Sequence, residues 1–268
     1  MRSHFSLSRG AAVACAVSGA TSLITGVCSA QPFLAADYAT DSAYATWDSG
    51  DNGGFGFTAW SLSGSSFAMN GASSFNQLGM AWTMYNPTAS DMATATRGLA
   101  APLQVGQTIS TVFDSPTEIG YWRGITVGLL SSGTERLALW QFGIGWNTPT
   151  PPYAGGNNLG RWQAGDGHMT PLTATDTSAG VQLDIGLTGP DSYSLTMTPL
   201  GNPSLAYTET GLLANSGDIN QIKFTFYNNA SGVASPTDFY ISSITIVPEP
   251  STVALLGLGG LLFLRRRR

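Results

Sequence analysis

Residues 181–198 read VQLDIGLTGPDSYSLTMT, and this stretch decides the fold. Val181, Leu183, Ile185 and Leu187 alternate with Gln182, Asp184, Gly186 and Thr188. After Gly189-Pro190-Asp191, Tyr193, Leu195 and Met197 alternate with Ser194, Thr196 and Thr198. A period of two sends successive side chains to opposite faces, so each half is a strand with one buried face. Gly and Pro at the centre supply a tight turn, and the two halves pair as an antiparallel hairpin.

The same period recurs outward from this hairpin. Leu78, Met80, Trp82 and Met84 alternate with Gly79, Ala81, Thr83 and Tyr85, and Ile222, Phe224 and Phe226 with Lys223, Thr225 and Tyr227. Further strands are expected at 55–60, 108–113, 124–130, 136–142 and 239–247. Turn residues punctuate them at Asp114-Ser115-Pro116, Ser131-Ser132-Gly133 and Asn228-Asn229-Ala230. Only 10% of the residues are charged, while aromatic side chains make up 10% and there are 33 glycines. Short strands, tight turns and few charges predict an all-β antiparallel β-sandwich of jelly-roll type over 31–246, as one domain. The Arg97 region followed by 106–113, the Gly-rich strand after Trp122 and the closing Asp238-Phe239-Tyr240 strand resemble concanavalin-A-like and laminin-G-like sandwiches. That resemblance implies saccharide contact without naming a residue for it.

The two ends read as addresses. Met1–Arg9 carries two arginines and no acid, and an uncharged, largely apolar run follows to Val27. Small residues Cys28 and Ala30 then stand before Gln31. This is the plan of a secretory signal peptide over 1–30, a signal helix cut between Ala30 and Gln31 by signal peptidase after Sec export. A lipoprotein reading would acylate Cys28, but Thr25 and Val27 stand where a Leu-like and a small residue are needed. Both cysteines, Cys15 and Cys28, leave with the leader, so the mature chain has no thiol and no disulfide framework.

At the other end Val247-Pro248-Glu249-Pro250 precedes fourteen uncharged residues, 251–264, and the chain closes on Arg265, Arg266, Arg267 and Arg268. As a helix the apolar run spans about 21 Å, short of a hydrocarbon core of about 30 Å. Four terminal cations cannot be buried unpaired in a globule, but they can snorkel into a headgroup layer. Positive residues stay cytoplasmic, which places the body outside the membrane. Pro248, Glu249 and Pro250, the short transmembrane helix 251–264 and the Arg cluster resemble, in order and spacing, the PEP-CTERM sorting domain of Gram-negative bacteria. The resemblance covers 247–268. It implies recognition by a membrane-embedded exosortase, with cleavage near the motif and delivery to the cell surface or exopolysaccharide matrix. The tail names a destination and not an activity.

Between the addresses the body holds five basic and fifteen acidic residues, a formal charge of −10. Such a body cannot neutralise a phosphate backbone, so nucleic acid is not a partner. Its single histidine, His168, lies in a Gly-rich loop and reads as a surface residue. There is no Gly-x-Ser-x-Gly elbow and no His-Glu-x-x-His helix. Glu118, Glu135 and Glu209 are far apart in sequence and form no close acid pair of the kind glycoside hydrolysis uses. Asp48, Asp51 and Asn52 crowd a turn that reads as a solvated Asx-rich turn, or else as a Ca²⁺ site; no other cofactor is expected. The irregular stretch 146–170 carries Trp146, Tyr153 and Trp162, which either stack on sugar rings or cap the sandwich core. The resulting expectation is a non-catalytic exported surface or matrix protein that contacts exopolysaccharide. The alternatives are a secreted polysaccharide-active enzyme (glycoside hydrolase or lyase) and an assembly subunit pairing through an exposed sheet edge.

Overall fold

The 181–198 stretch folds as the hairpin its alternation predicts. Val181, Leu183, Ile185 and Leu187 are buried on one strand, as are Tyr193, Leu195 and Met197 on the next, and only Pro190 and Asp191 lie between them. The computed structural model describes residues 33–64, 66–73, 76–85, 91–114, 123–142, 162–163, 170–173, 175–228 and 238–248. Within these lie strands β1 (Ala35–Tyr38), β2 (Phe57–Ser63), β3 (Phe67–Asn70), β4 (Ala81–Met84), β5 (Asp91–Leu99), β6 (Gln107–Asp114) and β7 (Arg123–Ser131). They continue as β8 (Thr134–Phe142), β9 (Trp162–Gln163), β10 (Val181–Gly189), β11 (Ser192–Pro199), β12 (Tyr207–Leu212), β13 (Gln221–Asn228) and β14 (Phe239–Pro248).

The strands form two antiparallel sheets. One has the order β12-β11-β10-β6-β14-β4-β3, with β1 added on β14, and the other β2-β5-β13-β7-β8-β9. Each sheet turns one face inward. Phe224 sits opposite Ala95 on one side and Val127 on the other, and Val127 sits opposite Leu139. All four are buried. On the eight-stranded sheet Leu183 pairs with Met197 and Thr111, and Thr111 with Ile244. Aromatic rings join the layers. Trp60, from the six-stranded sheet, stands edge-on to Trp82 of the eight-stranded sheet at 5.2 Å between centroids, and Tyr44 meets Trp82 at 5.2 Å. Phe224 and Phe239 approach at 6.2 Å across the same gap. The architecture is an all-β antiparallel sandwich with one continuous core cluster.

The β7–β8 hairpin shows how a turn is written in sequence. Ser132 has φ 48° and Gly133 φ 86°, the two positive values a tight two-residue hairpin turn requires. Other elements depart from the sequence expectation. The strand expected from Leu78 starts only at Ala81, because Gly79 takes φ +86° and bends the chain, and Met80 faces outward. On β4 all four residues are buried, so its alternation carries no solvent face. The strand β5 was not expected at all, because its inward residues before Leu99 are Ala93, Ala95 and Arg97, two small side chains and a charge in place of large apolar ones. Among the described residues no helix is long and apolar enough to cross a membrane. The signal helix of 1–30 and the transmembrane helix of 251–264 expected from the sequence lie outside the described residues.

Because Trp82 has no exposed surface and contacts the rings of Trp60 in the opposite sheet and of Tyr44 and Trp47 in the β1–β2 connection, Trp82→Ala should cost about 3–5 kcal/mol in equilibrium denaturation.

Candidate functional site at the tail end of the sandwich

The last strand connects the body to its tail. Along β14 Ile246 sits opposite Ile109, Val247 opposite Thr108 and Pro248 opposite Gln107. Val247, which the sequence reading counted in both the last strand and the tail, and Pro248, which it gave to the tail alone, are paired in the sheet. Proline has no amide to donate, so it suits the end of a ladder, and Pro248 is where this strand ends. On its other side β14 pairs with β1, with Ala35 opposite Ile246, and the Leu34 amide donates to the Ile246 carbonyl at 2.8 Å. The described chain thus begins and ends side by side at one end of the sandwich.

A buried ion pair holds β1 there. Asp37 on β1 and Arg97 on β5 belong to different sheets, and their side chains meet at 2.8 Å with no exposed surface on either. The Tyr44 hydroxyl donates to the Asp37 carboxylate at 2.8 and 2.9 Å and accepts from the Gly53 amide at 2.9 Å. Arg97 donates from Nη1 to the Asp51 carbonyl at 3.0 Å and from Nη2 to the Gly53 carbonyl at 2.8 Å. Its guanidinium lies 5.3 Å from the Trp60 ring centroid and 5.7 Å from that of Phe57. Burial pushes the Asp37 carboxyl up to about 6, against the pull of the Arg97 charge and the Tyr44 hydrogen bond. Burial also raises the Tyr44 hydroxyl and lowers Arg97. Gly54 and Gly56, both at positive φ, let the Phe55 segment bridge to Ala36; a Cβ on either would collide with β1 backbone.

This cluster was missed in the sequence, although a signal was present. Ala93, Ala95 and Leu99 share one strand face, and Arg97 falls on that same face, so the alternation itself places a guanidinium in the core.

The turn at 48–52 serves the cluster. The Asp48 amide donates to Asp51 Oδ2 at 2.7 Å, and the Thr46 hydroxyl to Asp48 Oδ2 at 2.7 Å. Asn52 is exposed. The carboxylates close the loop on itself, the Asx-turn reading, while the cation beside the Asp51 carbonyl is Arg97. Among the described residues no group of three or more His, Cys, Asp or Glu side chains is placed to hold a metal ion.

Of the aromatic trio only Trp162 is described, and it does not face outward. It has no exposed surface, packs against Phe113 at 5.4 Å between ring centroids and donates from Nε1 to the Thr177 hydroxyl at 3.4 Å. It caps the core and offers no ring to a sugar. Trp146, Tyr153, His168, Glu118, Glu249, Pro250, Ala30, Gln31 and Arg265, Arg266, Arg267 and Arg268 lie outside the described residues. Glu135 and Glu209 belong to different sheets. Glu209 accepts from the Tyr193 and Tyr207 hydroxyls at 3.1 and 2.9 Å, and Glu135 lies 4.0 Å from Lys223 Nζ.

Two outcomes are expected. Arg97→Met should cost about 3–5 kcal/mol, because it leaves a buried carboxylate uncompensated and two carbonyls without donors. An unfolded aspartate titrates at about 3.9. The folded chain holds the Asp37 proton more tightly, so the stability this group contributes is fully present below about pH 4 and lost as pH rises through about 6. Urea denaturation from pH 4 to 7 should show this component as a fall of roughly 3 kcal/mol, absent in Asp37→Asn.

The body is similar to lectin sandwiches. The exoplasmic/lumenal domain of VIP36 in its Ca²⁺-bound form is 8% identical, with a TM-score of 0.46 over 70% of this chain and 83% of that one. Lectin II from Ulex europaeus is 9% identical, with a TM-score of 0.43 over 71% and 92%. Lectin I-B4 from Griffonia simplicifolia, in its metal-free form, is 9% identical, with a TM-score of 0.45 over 79% and 98%. At such identities and scores the likeness says nothing of ligand or activity. No curated protein matches the chain. One family model does match, over the segment that starts on β14: residues 247–268 carry a PEP-CTERM protein-sorting motif.

Proposed function

We propose that this chain is an exported cell-surface or matrix protein that an exosortase handles through residues 247–268, and that its sandwich is a non-catalytic module contacting exopolysaccharide. The observation that carries the reading is the sorting motif, whose first two residues are paired in β14. Because tail and sheet share a strand, whatever holds the tail holds the folded body with no spacer domain between them. Export by Sec and signal peptidase, with cleavage after Ala30, supplies the mature body of 31–246 and delivers the tail to the membrane, where 251–264 and the four arginines hold it in lipid.

The saccharide part is supported by the outward face of the eight-stranded sheet. Thr208, Thr196, Asp184 and Ser110 stand in register on four adjacent strands. Gln182 donates to both Asp184 oxygens at 3.0 Å. A row of hydroxyls and one amide–carboxylate pair suits hydrogen bonding to sugar hydroxyls. With Trp162 in the core, Trp146 and Tyr153 remain of the three aromatic side chains read as candidates for stacking.

Replacing Glu249 and Pro250 with Ala should leave the tail uncleaved and deplete the surface fraction, read by intact mass on membranes and medium. Unchanged mass and distribution would remove the sorting role. Trp146→Ala with Tyr153→Ala should weaken pull-down on matrix polysaccharide about tenfold, roughly 1.4 kcal/mol. Binding equal to that of the unaltered chain would assign these rings no part in it.

A further inference from the structure

The end of the sandwich from which the tail leaves is uncharged and apolar around Pro248. Phe33, Leu34, Phe55 and Val105 are all exposed there, at 46%, 45%, 55% and 54%. Their positions follow from the register. Leu34 is hydrogen-bonded to Ile246, Phe55 is bridged to Ala36, and Val105 precedes Gln107, the partner of Pro248. The segments that meet here, 33–36, 53–57, 99–108 and 246–248, contain no Asp, Glu, Lys, Arg or His. The nearest carboxylates are Asp37, which is buried against Arg97, and Asp41, whose Oδ2 accepts from the Gly54 amide at 3.2 Å. At the same end Asp191 lies in the β10–β11 turn, on the far side of β6 from β14, and Asp218 precedes Ile219, whose carbonyl accepts from the Leu103 amide at 2.8 Å. Strand ends at the opposite pole carry Asp91, Asp114, Arg123 and Asp238. In a body with a formal charge of −10, four exposed apolar side chains on charge-free segments around Pro248 form a distinct surface.

We propose that this end is a lipid-docking face: Phe33, Leu34, Phe55 and Val105 enter the headgroup layer of the bilayer that holds the tail. The occupant is named by where the chain goes. Only Glu249 and Pro250 separate Pro248 from the uncharged run at 251. Three residues span at most about 10 Å, so a tail seated in lipid leaves this end no room to stand away from the surface. The tether also makes the second contact intramolecular, so weak apolar side chains suffice to orient the body. A Phe pair with Leu and Val has the composition of an interfacial contact, whereas the acidic body would repel a second copy elsewhere on its surface. The inference rests on the tail-anchoring reading above and adds to it the attitude of the body: β1 and β14 point at the membrane, and the β11–β12 connection points away.

Photo-crosslinking of the full chain in phosphatidylethanolamine–phosphatidylglycerol vesicles tests this. Benzoylphenylalanine is placed at Val105 or Phe33, and at Leu205, which is exposed at the opposite pole. Mass spectrometry then reads lipid adducts, and an alkaline carbonate wash reads anchoring. Docking predicts about tenfold more lipid adduct at Val105 and Phe33 than at Leu205. Retention through the wash with equal adducts at the two poles leaves the anchor standing and overturns the docking face. Adducts from Val105 to another copy of the chain, in place of lipid, overturn it in favour of self-association. Loss of the chain in the wash removes the anchoring reading and the docking face together.

Discussion

A guanidinium with no exposed surface spans the two sheets of this protein. Arg97 reaches Asp37 across the sandwich, and its Nη1 and Nη2 donate to the carbonyls of Asp51 and Gly53. The energetic consequence is an obligation more than a gain. Two charges have been taken out of water, and only mutual pairing, Tyr44 and the loop carbonyls compensate them. Burial wins part of that contest, since Asp37 is left with a raised pKa despite the cation beside it. If β1 shifts, Arg97 has nowhere to put its charge. The four-residue strand β1, too short to persist alone, is thereby fixed against β14.

A second arginine works in the same way nearer the other edge. Arg136 on β8 is almost fully buried; it donates to the Ala214 and Gly217 carbonyls of one loop and to Asp191 in the turn of the β10–β11 hairpin. Its partner Asp191 is largely exposed, so the charge pair is screened and its worth lies in tying loop to turn. Both arginines act at the end of the sandwich from which the tail departs. The opposite end shows no counterpart among the described residues. A body tethered at one end by a strand that doubles as the start of its tail would feel any pull on that tail through β14, and β14 is bound on both sides, by β6 and by β1.

The contrast between the two ends gives the function its physical setting. Export and sorting need only a leader and a tail, and these are local sequence. Orientation of the body needs surface. The charge-free segments around Pro248 and the hydroxyl row on the outward face of the eight-stranded sheet lie on different parts of the sandwich, so the proposed lipid contact and the proposed saccharide contact would not compete for the same side chains.

Local pattern alone determined the strands whose inward residues are large and apolar, such as β10, β11, β13 and β14, together with their turns, and it determined the sorting tail, whose parts are contiguous. It did not determine β5, whose inward face is Ala93, Ala95 and Arg97 ahead of Leu99, nor β12, an edge strand in which alternate residues are exposed. It left Trp162 open between sugar and core, because an aromatic after a Gly- and Pro-rich loop looks the same in either place. Only the tertiary structure decided that β14 lies between β6 and β1 and that the chain enters beside the point where it leaves. The reason is distance along the chain: Thr111 donates to the Ser243 carbonyl across 132 residues, and Arg97 finds Asp37 across two sheets. Period and turn residues report what each segment buries, but which segments bury it together depends on how the whole core closes.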